Sequence, residues 1–239
     1  MGQANCETAT AIAALRIHEA ETAREAQLIM AACEFAGGDV ASARSRYEFL
    51  LADGNDARAL RGMGTVLLAG GDAETAMPYL ERAVVAAPAD WRAWNALGIS
   101  WMELDQRTEA INAFRRATEI APTSATPWNN LGLAYLQDGQ SDAAVSAFTQ
   151  ALRREPGLPA AEANLRLAFL VRGETSRALR DVSEDERPIL LNNAGVIARS
   201  QGDLRRAESL FQRALEASPV FYEQAYSNWQ EVRAANNQP

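Results

Sequence analysis

The chain repeats itself at a step of 34 residues, the distance from Trp94 to Trp128, and that period limits its folding more than any other property. Trp91-Arg92-Ala93-Trp94-Asn95-Ala96-Leu97-Gly98 aligns with Ala125-Thr126-Pro127-Trp128-Asn129-Asn130-Leu131-Gly132. The same step back reaches Leu60, Met63 and Gly64. Each block then runs alike: a breaker (Gly71, Asp105, Gly139), an alanine five later (Ala76, Ala110, Ala144), a large apolar residue (Leu80, Phe114, Phe148), another alanine (Ala83, Ala117, Ala151) and a closing proline (Pro88, Pro122, Pro156). A unit this short cannot bury an apolar face alone, so copies must stack on one another.

Apolar residues three and four apart put a stripe on one side of each of two helices, and the alanines and glycines let those helices approach closely. The breaker makes the turn between them. Asp56, Asp90 and Ser124 stand where they can cap each first helix, and Pro159 and Pro188 stand where a first-turn proline is tolerated. The expected fold is therefore all-α, a solenoid of helix-turn-helix units.

These spacings resemble the tetratricopeptide repeat, which implies a right-handed α-solenoid of about six repeats. Blocks 57–90, 91–124 and 125–158 match almost throughout, and block 188–221 matches through Leu191, Ala194-Gly195, Gly202, Ala207, Phe211, Ala214 and Pro219. Residues 24–56 form a weaker first repeat, with Thr22 and Glu25 giving a capping-box signal at its start. Block 159–187 is degenerate. Its second helix begins at Ala178 and Val182, and Ser183-Glu184-Asp185-Glu186-Arg187 then replaces the last turns. Residues 1–22 read as an N-terminal segment whose helix carries Ile12, Leu15 and Ile17, and residues 222–239 as a C-terminal capping helix and tail.

Composition removes most chemistry. All 23 basic residues are arginines, so Schiff-base and phosphate-loop lysine chemistry have no residue to work through. A net charge of −8 without a basic stretch argues against nucleic acid. The single histidine, His18, and two distant cysteines, Cys6 and Cys33, form no metal-ligand spacing. No nucleophile, base and oxyanion donor can be assembled, so the expectation is no enzyme, no cofactor, no metal and no small-molecule substrate.

The repeat resemblance implies that the first helix of each pair faces a concave surface through its second, fifth, ninth and twelfth positions. The fifth positions are Arg61, Asn95, Asn129, Ala163 and Asn192; the ninth are Thr65, Ile99, Leu133, Leu167 and Val196; the twelfth are Leu68, Met102, Leu136, Leu170 and Arg199. The expected peptide-binding set is thus Asn95, Ile99, Met102, Asn129, Leu133, Leu136, Leu167, Leu170, Asn192 and Val196. An aliphatic band edged by amides suits an amphipathic helix or an extended peptide, because amides pair with backbone groups while aliphatics bury the apolar face. Members that clamp a C-terminal carboxylate use basic residues there, and that set is missing.

Within the repeat class, the order of blocks resembles the TadD proteins of the tight-adherence (Flp) pilus apparatus over roughly residues 24–215. The resemblance rests on Ala36-Gly37-Gly38-Asp39, Ala59-Leu60-Arg61-Gly62-Met63-Gly64, the Trp94 and Asn129 segments, and the damaged repeat leading into Asn192-Asn193. It implies a periplasmic, outer-membrane-anchored lipoprotein, a pilotin that helps the pilus secretin assemble, with a secretin or other pilus component as protein partner. A membrane would be touched only through a lipid anchor. Gln3-Ala4-Asn5 is a poor approach to a lipid-bearing Cys6, so an ordinary cysteine is the reading there. The first residues carry no charged-then-apolar leader, so either a signal has been removed or the chain works in the cytosol. The alternative function is accordingly a cytosolic adaptor or co-chaperone.

Overall fold

A computed structural model describes residues 20–52 and 54–236. Cys6 and the expected helix around Ile12, Leu15 and Ile17 lie outside the described residues. Those described are all-α, with 13 helices and no strand among them. They divide into two compact units, up to Ala134 and from Tyr135. The first holds α1 (Ala20–Ala36), α2 (Val40–Ala52), α3 (Ala57–Ala69), α4 (Ala73–Ala86), α5 (Trp91–Glu103) and α6 (Arg107–Ile120), and the division falls inside α7 (Ala125–Gln137). The second holds α8 (Ser141–Arg154), α9 (Pro159–Val171), α10 (Thr175–Ala178), α11 (Arg187–Ser200), α12 (Leu204–Ala217) and α13 (Glu223–Asn236).

In the first unit, each helix packs on the next, and the first helices of successive pairs, α1, α3 and α5, also touch one another. Leu60, Met63 and Leu67 of α3 meet Ala76, Leu80 and Ala83 of α4 and Ala93 and Leu97 of α5 in one core. The period explains the closeness. A Cβ on Gly64 would sit 2.5 Å from the Leu80 side chain, and one on Gly98 would sit 2.6 Å from the Phe114 ring. Glycine on the first helix therefore receives the large residue of the second, and Phe114 is fully buried. Burying such a ring stabilises the pair by about 1.5–3 kcal/mol.

The local signals act as expected at several ends. The Asp56 carboxylate accepts from the backbone N–H groups of Arg58 (2.8 Å) and Ala59 (3.2 Å), and that of Asp90 from Arg92 (3.0 Å). Asp72 and Asp203 do the same for the second helices α4 and α12. Pro159 and Pro188 sit in the first turns of α9 and α11. Between helices, Gly71 turns the chain at φ 77°, and Asp105 adopts the left-handed conformation at φ 56°.

Two expectations about ends are corrected. Helix α1 already runs through Thr22, so no cap stands there; nothing between residues 20 and 24 breaks a helix. In the degenerate block the second helix, α10, is a single turn ending at Ala178 rather than a longer helix carrying Val182. The chain turns at Asp181 (φ 55°), while Leu179 and Val182 are buried and Ser183 to Glu186 are exposed. Four polar residues, three of them acidic, offer neither an apolar stripe nor neutral spacing for further turns.

At the C-terminal end, α13 packs on α12 and also touches α11, as the first helix of a following pair would. Its Ala225 and Val232 are buried with Leu210, Phe211 and Ala214 of α12.

Candidate peptide-binding groove

Because first helices touch one another, their shared face gathers residues at matching positions. In the first unit this face is a groove of about 490 Å³. Arg61 and Asn95, at fifth positions, and Thr65 and Ile99, at ninth positions, line it with Leu68 at a twelfth. Phe35 and Trp91 close its sides, and the Arg92 guanidinium lies 4.7 Å from the Trp91 ring centre. Asn95 Oδ1 accepts from Asn130 Nδ2 at 2.9 Å, which fixes the Asn95 amide. Arg61 Nε lies 3.0 Å from Asp90 Oδ2, so the one cation at a fifth position is held by the cap of the next first helix. Met102 and Leu133 are half-buried, whereas Asn129 is buried at 9 % exposure.

The second unit has its own groove, about 450 Å³, between α9 and α11. Leu167 (39 % exposed) and Ile189 (51 % exposed) give it an apolar surface, edged by Asn164 and Asn193. One expected contact moves inward here, and another is shared with the core. Leu170, only 1 % exposed, lines the floor of the groove and joins the core beneath it. Asn192, 2 % exposed, accepts at Oδ1 from Asn228 Nδ2 at 3.0 Å, so α13 occupies it and neighbouring Asn193 takes the surface position. Leu136 and Val196 are half-buried. Reading positions alone missed Phe35, Trp91, Ile189 and Asn193. Ile189 is at a second position and was within reach of the pattern; Phe35, in the irregular first repeat, was not.

Among the described residues no cluster could hold a metal, and no helix is long and apolar enough to cross a membrane. Cys33, half-buried on α1, is disulfide-bonded.

Family models for the tetratricopeptide repeat match residues 34–90 and 61–125, 113–146, and 190–218. Together these cover more than half of the chain. The chain belongs to the tetratricopeptide-repeat family. Solved structures agree on the fold. Pseudomonas aeruginosa pilF is similar at 19% identity with a TM-score of 0.64, over 90% of this chain and 98% of that one. MamA is similar at 21% identity and a TM-score of 0.54, over 90% and 96%. YrrB, described as a tetratricopeptide protein with an unusual peptide-binding site, is similar at 16% identity and a TM-score of 0.56, over 77% and 96%. No curated protein sequence matches the chain. As a tetratricopeptide array, the protein is a scaffold for protein–protein interaction.

Proposed function

We propose that this scaffold is non-enzymatic and takes an apolar helix or extended peptide of a partner along its first-helix faces, serving as a pilotin-like assembly factor for the outer-membrane secretin of a tight-adherence (Flp) pilus. The observation that carries the binding mode is the alignment of half-exposed aliphatics with amides on those faces: Ile99 beside Asn95, and Leu167 with Ile189 beside Asn193. The pilus assignment draws on the resemblance of the block order to TadD, and the fold likeness to pilF along nearly all of that chain agrees with it. The disulfide at Cys33 supports an oxidising compartment such as the periplasm.

The test is capture of purified secretin subunit by the full chain. Ile99→Glu and Leu167→Glu each place an unpaired charge on apolar surface and should abolish capture while helical circular dichroism persists. Apolar burial is insensitive to screening, so the wild-type affinity should change little up to about 1 M sodium chloride, with a negative heat-capacity change on binding. Undiminished capture by both folded variants would move the site off these faces. Failure of the wild type to bind secretin would leave the scaffold without its pilus role and favour the cytosolic adaptor.

A further inference from the structure

The one-turn helix α10 leaves something uncovered. In the register set by the turn residues Gly139 and Gly202, the stripe Arg206, Ser209, Leu210 and Arg213 on α12 corresponds to Ala143, Ser146, Ala147 and Gln150 on α8. In α6, counted from Asp105, it corresponds to Glu109, Asn112, Ala113 and Arg116. Residues at these spacings share one helix face. Only α12 among the three carries two arginines there and no acid.

Beside that stripe α10 supplies Thr175, Ser176 and Arg177, and together they line a notch of about 450 Å³. The Arg206 side chain is half-buried against the backbone at Gly173, where a Cβ would meet its Nη1 at 2.7 Å, and its Nη2 donates to Thr175 Oγ1 at 3.3 Å. Glu174 is the one acid lining the notch, and it pairs with Arg177 at 2.6 Å and Arg172 at 2.8 Å. Arg206 and Arg213 have no carboxylate partner among the described residues. Three guanidinium groups against one carboxylate therefore face a single opening on a chain whose net charge is −8.

We propose that this notch docks an acidic peptide segment of a partner protein. Arginine's planar fork grips a carboxylate through two parallel N–H donors, and the hydroxyls of Ser176 and Ser209 add groups that pair with peptide backbone. Arg206 and Arg213 are seven residues apart on one helix, so their Cα atoms stand roughly 10 Å apart along the axis. That spread addresses two carboxylates on a chain better than one compact phosphate. The protein's own acidic run does not fill the notch, since Glu184 and Asp185 are exposed and Glu186 lines the groove between α9 and α11. The site uses second helices and charge, whereas the proposed groove uses first helices and apolar area, so the two stand or fall separately.

The experiment titrates the full chain into a labelled peptide of about ten residues alternating Glu and Ser, with the Gln-for-Glu peptide as control. The acidic peptide should bind at low salt, the control should not, and affinity should fall steeply as the Debye length shrinks to about 3 Å near 1 M salt. Arg213 is exposed, so Arg213→Glu keeps the fold; it should weaken binding about three- to tenfold, and adding Arg206→Gln should bring it to the control level. Leu167→Glu, in the groove, should leave this binding intact. Equal binding of both peptides, no loss in the arginine variants, or loss in Leu167→Glu would each overturn the proposal. So would inorganic phosphate binding more tightly than the peptide through the same arginines, which would make the notch a phosphate site.

Discussion

The repeat at 91–124 and the block at 159–187 start from the same template and end differently. In the first, α5 offers Gly98 and α6 fills the gap with Phe114, whose ring atoms would lie 2.6–2.8 Å from a Cβ there. In the second, the matching positions hold Arg166 and Val182, and the second helix stops at Ala178. Glycine and ring are thus one device split between two helices. Where the ring has shrunk to valine and the helix that carried it has ended, the first helix carries an arginine at the glycine's place, and Arg166 lines the groove of the second unit. Degeneration here trades packing for open surface. It leaves the groove with a charged edge on one side of the block and the arginine-lined notch on the other.

Removing the large residue from each block should separate the two. Phe114→Ala empties a fully buried site and should cost about 3–5 kcal/mol, seen as a lower urea midpoint. Val182→Ala removes less from a site already 8 % exposed and should cost about 1–2 kcal/mol. Equal costs would mean that the degenerate block is held as firmly as the regular one.

Hydrogen exchange sharpens the same contrast without mutation. Helix α8 is continuous over 14 residues, while residues 179–186 follow a single helical turn and end in an exposed acidic run. In an array held by neighbour contacts, the smallest interface opens first. Amides of 179–186 should therefore exchange well before those of 143–153. Matching protection would show that the packing of Leu179 and Val182 alone locks the segment.

A smaller effect separates the helix starts. Asp90 caps α5 with a side-chain hydrogen bond at 3.0 Å and also holds half-buried Arg61, so Asp90→Ala should cost about 1–2 kcal/mol. Glu174 occupies the N-cap position of α10 without a side-chain cap bond, and its pairs with Arg172 and Arg177 are half-buried, not fully desolvated. Glu174→Ala should therefore cost under about 1 kcal/mol in thermal melts. A larger loss there would show that α10 depends on that carboxylate.

What was legible in the sequence follows from how local each cause is. The caps at Asp56 and Asp90 and the first-turn prolines depend on residues within one turn, and the structure has them where the pattern put them; the 34-residue period was legible because it repeats along the chain. The inner-face positions were legible as a class because they follow the helix period. Individual accessibility was not. Asn192 is covered because Asn228, 36 residues later, reaches back to it, and Leu170 sinks into a core completed by α11 and α12. The length of α10 was misjudged because Ala178 and Val182 continue the apolar stripe, while the left-handed turn at Asp181 that ends it has no strong local signature.

In the first repeat the large residue is a tyrosine. Tyr47 of α2 is 5 % exposed, and its ring fills the space over Gly62 of the next repeat, where a Cβ would lie 2.2 Å from the ring. Burial, more than any neighbour, raises its hydroxyl above the ordinary value of about 10; the nearby Arg61 cation opposes that rise and Glu34 adds to it. A folded-state value above the unfolded one means that the folded chain holds the proton more tightly. The stability this confers is present below about pH 10 and is lost as pH climbs through the raised value. With no lysine in the chain and arginine charged throughout, no ammonium group titrates in the same window. Melting temperature should therefore fall above pH 10, and Tyr47→Phe, which keeps the ring and removes the ionising hydroxyl, should flatten that fall. An unchanged slope in Tyr47→Phe would mean that the ring over Gly62 is not what the alkaline transition reports, and that the first repeat is joined to the second by other contacts.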